Sequence, residues 1–113
     1  FHMERSQLLE HLRKTRFARG DRKRALEDAR SISSWLKTTY GAEVIGVGSL
    51  FESPRPFRKD SDIDLVVKNL PPEHFFRAYD AVDAMSDFDV ELIPWESANE
   101  LMRDIASHRG VPL

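Results

Sequence analysis

Asp62 and Asp64 flank Ile63 at the head of an apolar run, Leu65-Val66-Val67. The run is short and rich in β-branched residues, so it reads as a strand, and strand residues two apart share a face. The two carboxylates therefore lie side by side. Their repulsion is relieved by a proton or a divalent cation, and a half-buried pair left bare is unfavourable. Any fold of this chain has to build a sheet around that pair and keep one face open for its charges.

Helical and strand periodicities alternate around it. Residues 4–17 read as a helix with Leu8, Leu9 and Leu12 on one face, broken at Gly20. Asp21 is a natural N-cap for a second helix to Tyr40, carrying Ala25, Ala29, Ile32, Leu36 and Tyr40 at helical spacing, with Gly41 as its stop. Val44-Ile45-Gly46-Val47 is a first strand ending at Gly48-Ser49. Pro54 and Pro56 oppose a helix in the connector 50–60, and Ser61 to Lys68 is the second strand. Pro71-Pro72 opens a helix to about Met85 with Phe75, Phe76, Tyr79 and Val82 as its buried stripe. Phe88 to Ile93 is a third strand stopped by Pro94, and a last helix covers roughly 96–108. The fold class is α/β (α+β), a small mixed sheet of about three strands flanked by helices.

At 113 residues the chain suits one domain, with residues 1–40 a helical segment packed on a core of residues 41–113. Phe1-His2 ahead of Met3 reads as a tag remnant. Hydrophobic residues at 41% and charged residues at 32% give the balance of a soluble globular protein. No apolar run approaches a membrane span and no secretory signal is visible. The absence of cysteine excludes disulfides and thiolate metal sites and fits a cytoplasmic location. His2, His11, His74 and His108 lack the spacing of a zinc site. Charge is uneven: residues 1–40 carry +5 and residues 41–113 carry −7, a basic surface beside an acidic one.

The element order constrains the topology. The connector 50–60 makes the first two strands antiparallel neighbours. Strand, helix, strand makes the second and third parallel, with a right-handed crossover. One sheet edge then gathers Gly48, Ser49, Asp62, Asp64 and the acids of the third strand, Asp89 and Glu91. Either of the last two can complete a triad of carboxylates. Magnesium takes such hard oxygen ligands, and a two-ion site can activate an attacking oxygen and stabilise a leaving one. Gly48 lets the backbone approach a phosphate, Ser49 can donate to it, and Arg58 and Lys59 can neutralise a triphosphate.

Val47-Gly48-Ser49 followed by Ser61-Asp62-Ile63-Asp64-Leu65-Val66-Val67 resembles the signature of the DNA polymerase β-like nucleotidyltransferase superfamily, most of all its minimal nucleotidyltransferase (MNT) branch. The resemblance covers about residues 41–113 and leaves the N-terminal helices as an extension. It implies a mixed sheet with flanking helices, two Mg2+ ions on three carboxylates, and transfer of a nucleoside monophosphate from a triphosphate such as ATP. Carried over by position, Gly48 and Ser49 match the phosphate-binding turn, and Asp62 and Asp64 match metal ligands. Glu91 matches the third carboxylate, with Asp89 the alternative. The family's third acid is usually aspartate, and its turn usually continues with a small Ala and a Gly where this chain has Leu50-Phe51-Glu52-Ser53.

Minimal members resemble the antitoxins of HEPN/MNT toxin–antitoxin pairs. That resemblance implies an acceptor on another protein: adenylylation, at a tyrosine hydroxyl, of an RNase toxin with a HEPN domain. Two other readings stand beside it. One is a nucleotidyltransferase acting on small molecules of the antibiotic type. The other is a weakly catalytic subunit that neutralises its partner by contact. Nucleic acid is a further candidate partner through Arg13, Lys14, Arg16, Arg19, Arg22, Lys23 and Arg24, a cluster that could track phosphates.

Overall fold

The computed structural model describes residues 22–52 and 62–113. The predicted helix over 4–17, the Gly20 break, the Asp21 cap and most of the connector, with Arg58 and Lys59, lie outside the described residues.

Helix α1 (Arg22–Tyr40) buries Ala25, Ala29, Ile32 and Leu36, the stripe that its spacing predicts. The N–H of Gly41 closes its last turn on the Lys37 carbonyl at 2.9 Å. Strand β1 (Glu43–Val47) follows, then β2 (Ile63–Lys68), helix α2 (Phe75–Asp83), β3 (Val90–Pro94), helix α3 (Glu100–Arg109) and a two-residue β4 (Val111–Pro112). Short 3₁₀ turns at Pro72–His74 and Trp95–Ser97 lead into α2 and α3. The sheet order is β3-β2-β1-β4. β1 and β2 are antiparallel and β2 and β3 are parallel, as expected from the connections.

The sheet has four strands where about three were expected. The chain returns after α3, and β4 pairs antiparallel with the free side of β1, Gly46 opposite Val111 and Ile45 opposite Pro112. Two residues are too few for an alternation to register in sequence, and an edge position tolerates the proline, which donates no ladder hydrogen bond. Lys37 adds a side-chain hydrogen bond to the Leu113 carbonyl.

The two faces of the sheet divide the core. Val44, Ile63, Leu65, Val67, Val90 and Leu92 pack with α1 and α2. Val47 and Val66 pack with Ala106 of α3, with Ile45, Ile93 and Trp95 alongside. Phe76 departs from the predicted stripe and is 81% exposed. The 3₁₀ turn delays α2 until Phe75, and the inward set becomes Phe75, Ala78, Tyr79 and Val82, the i, i+3, i+4, i+7 stripe that omits Phe76.

Helix α3 approaches β1 closely at Gly110, where a Cβ would come within 2.3 Å of both the Ala106 carbonyl and Ile45 Cγ2. Gly110→Ala should therefore destabilise the protein by about 1–3 kcal/mol. Thermal melts check this, and an unchanged melting temperature contradicts the packing described.

Candidate active site

Alternation along β2 sends Ile63, Leu65 and Val67 into the α1–α2 face and Asp64 and Val66 onto the α3 face. Register does the rest. Asp64 stands opposite Val47 of β1 on one side and Glu91 of β3 on the other. Carboxylate oxygens of Asp62, Asp64 and Glu91 all lie within 4.8 Å of one another. Asp64 is half-buried and Glu91 exposed, so the group opens to solvent from a partly dry floor.

That floor changes the acidity of Asp64. Burial first, then the charges of Glu91 and Asp62 and a hydrogen bond with Glu91, push its carboxyl up to about 7. A hard cation would reverse the balance, since three carboxylate oxygens with no nitrogen or sulfur donor suit Mg2+ or a similar ion. The donor set fits the group that the sequence implies.

Gly48 is required at the next position for two reasons. Its φ is +88°, and a Cβ there would lie 2.9 Å from Asp64 Oδ2. The backbone leaving β1 thus runs directly over the Asp64 carboxylate. Its carbonyl accepts from the N–H groups of Phe51 at 3.1 Å and Glu52 at 3.2 Å, which forms a single helix-like turn led by Ser49 and Leu50. Gly48, Ser49, Asp62, Asp64 and Glu91 are thereby gathered at one end of the sheet.

Asp89 precedes β3, and its carbonyl accepts from the Ile63 N–H at 2.8 Å. It stays out of the cluster of three and lines a neighbouring cleft of about 450 Å³ with Asp62, Tyr79, Asp80, Asp83, Val90 and Glu91. Sequence reasoning assigned Tyr79 to the core alone. It forms part of this wall, where burial and then the Glu91 charge raise its hydroxyl pKa. Tyr79 and Asp83 are four residues apart on α2, the one sequence signal that they share a face. Trp95 follows β3 at the end of the sheet opposite the acids. Lys68 Nζ lies 4.1 Å from its ring centroid and the Arg103 guanidinium 5.3 Å. A larger groove of about 680 Å³, lined by residues including Pro71, Phe75, Phe76 and Pro94, lies at that far end of the sheet.

The mixed sheet and its flanking helices match a polymerase β-like nucleotidyltransferase fold. Two solved structures share it. The toxin-antitoxin MntA-HepT matches with a TM-score of 0.57 at 17% identity, over 77% of this chain and 69% of that one. A mutant of that toxin-antitoxin matches with a TM-score of 0.61 at 18% identity, over 74% of this chain and 70% of that one. The mutant carries glutamate in place of two aspartates that stand two residues apart. No family model and no curated protein sequence matches the chain.

The raised Asp64 pKa has a signed consequence for the metal-free protein. The folded state holds this proton more tightly than the unfolded chain, whose carboxyl titrates near 3.8. The stability it contributes is present below pH 4 and is lost as pH rises to about 7. Asp64→Asn cannot ionise and should escape that loss. Melting temperatures of the variant should gain on wild type across this window in chelator-treated protein, and a pH-independent difference would contradict the assignment.

Proposed function

We propose that this chain is a Mg2+-dependent nucleotidyltransferase that moves AMP from ATP to a hydroxyl of a partner protein. The observation that carries the reading is the meeting of Asp62, Asp64 and Glu91 within 4.8 Å, beneath a turn whose glycine packs on Asp64. In this reading the three carboxylates hold Mg2+, and Gly48 and Ser49 receive the triphosphate. Arg58 and Lys59, from the connector, neutralise it further. The bound ion supplies charge neutralisation at the phosphates and a lowered barrier for the attacking oxygen. The acceptor oxygen bonds to the α-phosphorus, the bond to the bridging oxygen breaks, pyrophosphate departs and the hydroxyl proton is lost to solvent. Little else is asked of the protein, because such catalysis is mainly positioning and charge stabilisation.

The neighbours support the choice of a toxin as partner. Both are toxin-antitoxin structures, and one carries altered aspartates at the spacing of Asp62 and Asp64. We assign this chain the antitoxin role, with a HEPN-type RNase toxin as acceptor and the cytoplasm as its place of action. No helix among the described residues is long and apolar enough to cross a membrane.

Incubation of the chain with α-labelled ATP, Mg2+ and the candidate toxin tests the proposal. Label should enter the toxin, and Asp62→Asn should reduce its incorporation by at least about a hundredfold, the scale of a lost charge-stabilising group. A toxin that is silenced without label would contradict transfer and favour neutralisation by contact.

A further inference from the structure

The Gly48–Ser49 turn is held from behind by a residue far away in sequence. Arg22, at the start of the described part of α1, donates through Nη2 to the Ser49 carbonyl at 3.1 Å and through Nη1 to the Leu50 carbonyl at 3.2 Å. The contact is partly buried and spans 27 and 28 residues. Two parallel donors on two successive carbonyls fix direction as well as distance, a task that suits the planar guanidinium fork and not a lysine ammonium.

The consequence lies on the other side of the peptides. A trans peptide is planar, with its C=O and N–H pointing in opposite directions. Holding the Ser49 carbonyl against Arg22 therefore turns the Leu50 N–H away from it, and holding the Leu50 carbonyl does the same for the Phe51 N–H. The second of these meets the Gly48 carbonyl at 3.1 Å, which closes the turn. The turn is thus fixed by Arg22 at its carbonyls, by its own hydrogen bonds, and by Asp64 beneath Gly48. The guanidinium also keeps two carbonyl dipoles from facing an incoming anion and places a positive charge behind the peptides that would meet it.

We propose that Arg22 is a positioning residue for the nucleotide's phosphate chain, locking the turn from Gly48 to Glu52 in its anion-receiving form and so linking α1 to the active site. This rests on the nucleotidyltransferase reading above.

The test is calorimetric binding of a non-hydrolysable ATP analogue to the full chain in Mg2+, beside Mn2+ binding without nucleotide. Arg22→Lys keeps the charge but cannot span both carbonyls. It should weaken the analogue about tenfold, the scale of a lost charged hydrogen bond, while Mn2+ affinity holds. Arg24→Lys, on the same helix but at a residue paired with Asp87 ahead of β3, should leave analogue binding at the wild-type level. Unchanged analogue binding in Arg22→Lys overturns the inference, as does a parallel loss of Mn2+ affinity, which would mark a general structural role. An NMR measurement on the unsubstituted chain is independent of any variant: the Arg22 guanidinium should rotate slowly, and free rotation overturns the clamp. Wild-type protein that binds Mn2+ but not the analogue defeats the nucleotide reading itself.

Discussion

Repulsion among three carboxylates on one sheet face is the constraint around which this molecule is arranged. Asp64 sits at the centre, between Val47 and Glu91 in the register of its two neighbouring strands, and it is the member that loses most water. Strand pairing leaves these acids no lateral escape, since moving one of them means shifting a strand by two residues and dragging the buried Leu65 and Leu92 with it. The apolar face therefore supplies the free energy that holds the charges together. Val66 and Ile93, further along the same two strands, turn the other half of the acidic face into a dry seat for α3.

The order β3-β2-β1 separates the tasks proposed for this site. The Gly48–Ser49 turn lies on the β1 side of Asp64 and Glu91 on the β3 side. In a displacement at phosphorus, the leaving pyrophosphate and the attacking hydroxyl occupy opposite flanks, and the sheet offers two unlike flanks for them. The β1 flank is a backbone turn braced by a cation. The β3 flank is a cleft with five carboxylates, those of Asp62, Asp80, Asp83, Asp89 and Glu91, and the Tyr79 hydroxyl.

The sheet and its acidic end were legible in sequence because alternation is a local signal. Asp62, Asp64 and Glu91 could be assigned to one face by counting, and the lengths of the connections gave strand directions. Glu91 over Asp89 could not be decided that way: both have the same parity, and only the parallel register that sets Glu91 opposite Asp64 separates them. Phe76 was misassigned because a 3₁₀ turn shifted the start of α2, and β4 was missed because two residues carry no period. Arg22 read as one cation in a basic cluster, since no sequence pattern reports a hydrogen bond to a carbonyl 27 residues away.

The central claim is that Asp62, Asp64 and Glu91 act together as a divalent-cation site, and Mn2+ titration followed by electron paramagnetic resonance tests it most directly. The account predicts saturable binding to the wild-type chain, sharply weakened by Glu91→Gln and unaffected by Asp89→Asn. Binding that is absent, or that depends equally on Asp89 and Glu91, would contradict it.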